Sequence, residues 1–475
     1  MEKQALIKKL TKLLGKDQVI THPDELLVYE SDALPVEKAI PWAVVFPHTT
    51  EEVSEIVKVL HAAGVPFVPR GSATGLSGGC LPVEGGFVIS LTRMTKILEI
   101  DIRNRYAVVE PGVINQWITN AVKDEGYYFA PDPSSGEACT VGGNVAENAG
   151  GPHTMKYGVT VNHILGLELV LPDGEIVTVG GKTLETPGYD LVGVLTGSEG
   201  TFAIVTKVIV KLLHLPETYL TFCAIYDSVD DATRSISGLL NAGITPAALE
   251  MVDTVFIEAL NMAFNMQFPE DADAILIIEL DGPEAGMETL KKRVIDVCES
   301  YNVRSIEAAS SEKERAQLWK ARKLAFGAVG RLSPCYYTQD GVVPRTKLPD
   351  ILRKIYEVGK KYNIRIANSF HAGDGNIHPC LMYDERVPGS VENVKKACAE
   401  ILHAVVEMGG TISGEHGIGS EKNDYMPWIF SENDLACMAD LKKVFNPDGY
   451  LNPGKIFPAS HTRPKTKPSN SLGVC

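Results

Sequence analysis

The chain has 475 residues, 44% of them hydrophobic and 22% charged, with a formal net charge of -15. That length exceeds what one hydrophobic core usually holds, so two or more packed units with room to bury a large cofactor are expected. The acid excess argues against a general nucleic-acid binder, because phosphate neutralisation needs clustered Lys and Arg, and no apolar run approaches the length of an integral membrane span.

Residues 1–37 open with MEKQALIKKLTKLLGKDQ, which reads as a short amphipathic helix without the apolar h-region of a signal peptide. The nine cysteines show no C-x-x-C spacing. This disfavours an iron-sulfur cluster, a zinc ribbon or a dithiol motif in the chain itself, suits a reducing compartment and, with the N-terminus, points to the cytoplasm.

From 38 to 217, short apolar runs alternate with glycine-rich turns, as in PFVP, FVISL, AVVEPG, LGLELVLPDG and FAIVTKVIVKL, and predict strands. Between the run AVVFP, residues 43–47, and PFVP lies HTTEEVSEIVKVLHAAG, where Thr49 and Glu52 have capping-box spacing and Gly64 stops the helix. Residues 218–458 change to strands alternating with long helices, a second unit of sheet covered by helices. Residues 459–475 mix Pro, Lys and Ser without periodicity and read as a flexible tail.

Three glycine clusters stand out in the first unit. PRGSATGLSGGC, Pro69 to Cys80, carries four glycines between two strands, so its backbone N–H groups can wrap a phosphate, with Arg70 adding charge. It matches neither the Walker nor the G-x-G-x-x-G pattern. Clusters at 131–151 and 195–206 suggest an extended ligand touched at several points.

In the second unit, HAGDGNIHP places His371 and His378 on either side of a Gly-Asp-Gly-Asn turn. A two-residue Asp374-Gly375 turn would make them direct cross-strand neighbours, roughly 5 Å apart and able to share an ion. Glu415 in SGEHGIGSEK supplies a third ligand, the pattern of a catalytic divalent site with open positions, suited to Zn, Fe or Mn. His416 beside it is placed as a general base. Cys380, two residues beyond His378, shares its strand face.

These motifs resemble the PCMH-type FAD-binding domain of the vanillyl-alcohol oxidase superfamily. They are most similar to the branch containing D-lactate dehydrogenase, D-2-hydroxyglutarate dehydrogenase and the flavin-binding component of glycolate oxidase, from about Pro35 to Pro458. The resemblance implies an α+β fold: a PCMH-type FAD-binding domain plus a substrate, or cap, domain with an antiparallel sheet covered by helices, its last part returning to the first. It implies FAD contacts at Arg70, Gly71, Ser72, Thr74, Gly75, Pro131, Asp132, Ser135, Gly142, Gly143, Asn144, Gly200, Ile204 and Asn452, with Lys455 nearby. No His lies between Pro69 and Cys80, so the FAD is expected to be non-covalent. The resemblance also gives the metal ligands as His371, His378 and Glu415, the base as His416, and the substrate-carboxylate partner as Arg322. Phe326 and Thr338, where dicarboxylate-using relatives place polar or charged side chains, point to a small 2-hydroxy acid.

The implied activity is oxidation of D-lactate or glycolate, with electrons passing to a separate acceptor such as an electron-transfer flavoprotein or an iron-sulfur subunit. The competing readings are a D-2-hydroxyglutarate-type dehydrogenase, a flavin-dependent lyase, a metal-dependent hydrolase and an electron-transfer scaffold. Oligomeric state is left open.

Overall fold

Thr49 starts the first long helix, Thr50–Ala62, by accepting the Glu52 N–H at 3.2 Å. The Glu52 carboxylate reaches one residue further back than a capping box requires, to the His48 N–H at 2.7 Å. Val53, Ile56, Val57 and Leu60 form the buried stripe of this helix, and Gly64, at φ +65°, takes the left-handed conformation that ends it. The computed structural model describes residues 3–184 and 187–459; apart from Ala459, the expected tail lies outside the described residues.

The N-terminal unit holds two larger sheets and a two-stranded one that pairs Tyr127–Tyr128 with Leu213–His214. A four-stranded sheet runs in the order Val19–Ile20, Ala43–Val45, Phe87–Ser90, Phe67–Arg70, with the last three strands mutually parallel and the first antiparallel to its neighbour. The helix Lys3–Leu14 adds Leu6, Leu10 and Leu14 to its core. The N-terminal segment is thus more than a helix, since Val19–Ile20 joins the sheet. A five-stranded antiparallel sheet follows, in the order Ile97–Asp101, Tyr106–Val109, Ile204–Lys211, Ile164–Val170, Ile176–Gly180. Its central strand buries Ile204, Thr206, Val208 and Val210 while the residues between them stay half-exposed, the period-two pattern of a one-sided sheet.

The C-terminal unit is an antiparallel sheet in the order Ser305–Ala308, Thr218–Tyr226, Ala274–Gly282, Ala248–Asp253, Ile366–His371, Asn376–Tyr383, Cys335–Thr338, with Gly341–Val342 also pairing along Asn376–Tyr383. The helices Val229–Asn241, Met287–Ser300, Leu348–Tyr362 and Ser390–Glu407 pack on one face. Thr254–Phe264 and Glu312–Val329 pack on the other. Covering on both faces explains why AILIIEL, Ala274 to Leu280, is buried without alternation.

Several contacts tie the two units together. Leu34, 2% exposed, leaves the N-terminal unit and lies in the core of the C-terminal one. In the other direction, Leu451 bridges Phe67 and the Asn452 N–H donates to the Phe67 carbonyl at 2.9 Å. Between them, His153 stands between Asp132, at 2.6 Å from Nδ1, and Glu279, at 3.2 Å from Nε2. Lys156 and Tyr157 both reach Asp281. Among the described residues no helix is long and apolar enough to cross a membrane.

Candidate active site

A cavity of about 730 Å³ runs between the two units, within the range of about 300–1,000 Å³ usual for cofactor pockets. Arg70, Gly71, Ser72, Thr74 and Gly75 from the first glycine loop line it, with Ser135, Gly142, Gly143, Asn144, Gly200 and Ile204 from the other two; His371, His378, Glu415 and His416 line it from the C-terminal unit. Three residues expected on this wall lie elsewhere. The Pro131 carbonyl accepts from Asn115 at 3.0 Å, and Asp132 is drawn away by His153. Asn452 donates to the carbonyls of Gly79 and Glu199 at 3.0 and 2.8 Å, so it fastens the two loops from behind. Lys455, fully buried, likewise donates to the Leu81 carbonyl at 2.6 Å.

The glycine loop fits a phosphate-bearing cofactor. Among the described residues none of the backbone N–H groups from Ser72 to Ser77 donates to a protein acceptor, which leaves a run of donors for an anion. A Cβ on Gly75 would meet nothing within 4 Å. Asn144, 2% exposed, has an Nδ2 with no partner on this same wall. The Arg70 guanidinium is partly engaged, donating to the Ser31 carbonyl at 2.8 Å and to the Cys80 sulfur at 3.5 Å.

The histidine hairpin turns more widely than its Asp-Gly step suggests. His371 pairs with Asn376, and His378 pairs with Ser369. The turn holds four residues, because the His371 carbonyl accepts from both Asp374 and Gly375 while the Asp374 side chain accepts the Asn376 N–H. The register therefore differs by two residues from the direct pairing expected. An even slip preserves the sheet face, and the two rings still meet as diagonal neighbours, with centroids 5.0 Å apart.

Glu415 closes the triangle. Its Oε1 lies 3.0 Å from His371 Nε2 and 3.1 Å from His378 Nε2. One donor atom from each of the three residues falls within 4.8 Å of the others. His378 Nε2 is buried without a hydrogen-bond partner. Two imidazole nitrogens and a carboxylate converging in this way fit a divalent cation with positions left open. In the protein alone a proton does part of that work: against burial, Glu250 and Glu415 raise the His371 imidazole well above its usual range. A bound cation replaces such a proton.

Behind the triangle stands a buried chain of charges. His371 Nδ1 lies 2.7 Å from Glu250 Oε1, and Arg322 Nε donates to Glu250 Oε2 at 2.6 Å while its Nη2 lies 2.5 Å from the same oxygen. Glu250 and Arg322 are each 1% exposed. This corrects the expectation for Arg322: the edge that would bind a substrate carboxylate in bidentate fashion is occupied by Glu250, and the residue lies just behind the cavity wall formed by Lys323 and Phe326. Its Nη1 remains without a partner. Glu250 carries no local sequence signal; only the pairing of Ala248–Asp253 with Ile366–His371 puts it opposite His371.

His416 stacks on His378, with centroids 5.0 Å apart and planes at 14°. Burial pushes its imidazole down to about 4, outweighing the pull of Asp340, so the ring is neutral at pH 7 rather than partly protonated as a free histidine would be. Phe326 packs edge-on against His378 at 6.1 Å. Cys380 lies behind it in the core, with its sulfur 3.3 Å from the Thr338 hydroxyl. Glu199 of the N-terminal unit accepts the N–H groups of Ile418 and Gly419 at 2.8 and 2.7 Å, and the Ser77 carbonyl accepts those of Ser420 and Glu421. The Glu415-His416 loop is thereby docked on the first glycine loop.

Known proteins share this architecture. The family described as "FAD binding domain" matches residues 41–180, and the one described as "FAD linked oxidases, C-terminal domain" matches residues 215–456. Glycolate oxidase subunit GlcD of Escherichia coli (strain K12) is 44% identical over 443 residues, covering 93% of this chain and 89% of that protein. GlcD of Bacillus subtilis (strain 168) is 41% identical, covering 91% and 92%. D-lactate dehydrogenase of Archaeoglobus fulgidus is 33% identical, covering 87% and 91%. Among solved structures, substrate-bound p-cresol methylhydroxylase superposes with a TM-score of 0.80 at 19% identity, covering 95% of this chain and 96% of that one. Alkyldihydroxyacetonephosphate synthase superposes at 0.73 and 18%, covering 95% and 86%. The matched residues and the near-full-length relatives agree: this chain belongs to the FAD-linked oxidases and has the α+β, PCMH-type FAD-binding fold.

Proposed function

We propose that this protein is an FAD- and divalent-metal-dependent dehydrogenase that oxidises a small D-2-hydroxy acid, D-lactate or glycolate, to the 2-oxo acid. The observation that carries the reading is the convergence of His371, His378 and Glu415, with His416 beside them, on the wall of the cavity that the glycine loops also line. When bound, FAD supplies a two-electron acceptor, and a divalent ion supplies the Lewis acidity that makes a coordinated hydroxyl more acidic.

The chain's own residues divide the remaining work. His371, His378 and Glu415 hold the ion, and Glu250 fixes the His371 ring from behind. His416, neutral at pH 7, accepts the substrate hydroxyl proton on a ring nitrogen. Arg322, behind the cavity wall, holds the Glu250 carboxylate in place rather than the substrate. Phe326 and Tyr336 on the cavity wall, with Thr338 in place of a cation, restrict the pocket to a small monocarboxylate. The glycine loops hold FAD non-covalently.

Electrons then pass to a separate acceptor. The described cysteines are all free thiols, and the sequence has no iron-sulfur spacing. The name of the GlcD relatives, an oxidase "subunit", supports a partner that carries the next redox centre. The test is anaerobic reduction of the bound flavin by each candidate acid in turn, before and after chelation. Reduction by D-2-hydroxyglutarate alone would favour a dicarboxylate dehydrogenase, and a flavin that no hydroxy acid reduces would favour a lyase.

A further inference from the structure

Asp340 lies at the junction of the Glu415-His416 loop, His378 and a buried lysine. It is wholly buried. Its Oδ2 accepts from the Ser413 hydroxyl at 2.6 Å and from the backbone N–H groups of Gly414, Glu415 and His416 at 2.8, 3.3 and 3.1 Å. Lys422, also fully buried, reaches the Asp340 carbonyl at 3.1 Å and lies 3.5 Å from Oδ2. One oxygen is therefore saturated and the carboxylate is kept charged.

The other oxygen is not used. Oδ1 is buried with no hydrogen-bond partner, and so is Nδ1 of His416. One donor atom each from Asp340, His378 and His416 lies within 4.8 Å of the others. His378 is the poorer claimant on Oδ1, since its Nδ1 is 4.0 Å away and already has the Gln339 carbonyl at 3.4 Å. Leaving two buried complementary groups unpaired costs about 1–3 kcal/mol each, and a bond between them would remove both costs.

We propose that Asp340 is the positioning residue of His416: Oδ2 pins the loop, and Oδ1 accepts the Nδ1–H of His416, fixing the tautomer whose Nε2 lone pair faces the cavity. This rests on the role of base proposed above for His416. In the proton-transfer step the hydroxyl O–H bond breaks and an Nε2–H bond forms. The Nδ1–H stays on the ring, and Asp340 remains a carboxylate facing the imidazolium. His416 alone would distribute its proton between both nitrogens, and the form protonated on Nε2 presents no lone pair to the substrate.

Asp340→Asn separates the two functions. An amide oxygen can still accept from the four loop donors, which hold it in that orientation, but the amide NH2 then turned to His416 cannot accept. The test uses zinc-loaded, FAD-bound protein with nitrogen-15-labelled histidine, and the His416 resonances are assigned by their loss in His416→Gln. Wild type is expected to show the Nδ1-protonated tautomer, and Asp340→Asn to lose it. Asp340→Asn should keep wild-type zinc and flavin and an unchanged KM, while flavin reduction slows about 100- to 10,000-fold, the usual contribution of a general base. An Nε2-protonated His416 in wild type overturns the proposal even where the variant does not fold. So does an unchanged tautomer or rate in Asp340→Asn, or loss of zinc from it. If no 2-hydroxy acid reduces wild type, the proposed reaction fails, while the tautomer still decides the role of Asp340.

Discussion

Glu250 is the strut between Arg322 and His371, and replacing it by Gln disturbs both neighbours. The Arg322 charge, 1% exposed, loses its counter-ion, and His371 Nδ1 loses a carboxylate 2.7 Å away. At an effective dielectric of about 20, unit charges roughly 3 Å apart attract by about 5–6 kcal/mol. An amide recovers part of this through hydrogen bonds, in keeping with the about 3–5 kcal/mol usually lost when one partner of a buried pair is removed. Removing the carboxylate behind a metal-ligating histidine costs about 10–100-fold in metal affinity. Denaturant unfolding of the metal-free protein, followed through Trp319 on the helix that carries Arg322, measures the first effect. Zinc competition with a chelator measures the second. A second substitution, Arg322→Met, should restore part of the lost stability by removing the stranded charge, but not the metal affinity. If Glu250→Gln unfolds within about 1 kcal/mol of wild type and binds zinc as tightly, the buried chain has been misread.

Further outcomes follow from the same geometry. Glu415→Gln should retain FAD, because the glycine loops belong to the other unit, but lose stoichiometric metal and reduction by hydroxy acids; absorbance and metal analysis check both. Phe326→Ala should raise kcat/KM for longer 2-hydroxy acids relative to D-lactate by about 10- to 200-fold, the range for relieving a pocket wall. For pH, the Asp132 and Glu279 carboxylates raise His153 to about 10 against its burial. Its contribution is therefore complete below the unfolded value of about 6.5 and lost as pH rises through about 10. Glu279, held down at about 2 by His153 and Arg315 against burial, contributes above its unfolded value of about 4.3 and loses that contribution as pH falls through about 2. The stability gap between wild type and His153→Gln should accordingly narrow between pH 7 and 10; a constant gap would refute the ion-pair account.

Local chemistry made much of the fold legible. Glycine punctuation and β-branched runs located most strands of the N-terminal unit, and the cap at Thr49 located the helix Thr50–Ala62. The strand Ala248–Asp253 and the helix Thr254–Phe264 are not evident from the sequence, because ALEMVD lacks clear alternation and is buried at every position. The site follows the same division. His371, His378, Glu415 and His416 stand in short glycine-flanked motifs, where the backbone signals the chemistry. Glu250 has no such neighbour and Asp340 only a following Gly341, and each meets its partners through a strand pairing or loop docking formed over long sequence separation. The Asp-Gly step predicts too short a turn because a four-residue alternative is closed by the Asp374 side chain. The motif around Arg322 reveals the arginine but not its partner Glu250, so its occupied edge reads as free for substrate.

The most direct test is the anaerobic absorbance of the flavin-loaded, metal-loaded protein as D-lactate, glycolate, L-lactate and D-2-hydroxyglutarate are added separately. The account predicts bleaching of the flavin band by D-lactate or glycolate, abolished by chelation and by His416→Ala, and restored to the chelated enzyme by divalent metal. A flavin that bleaches equally well after the metal is removed, or that none of these acids reduces, would contradict it.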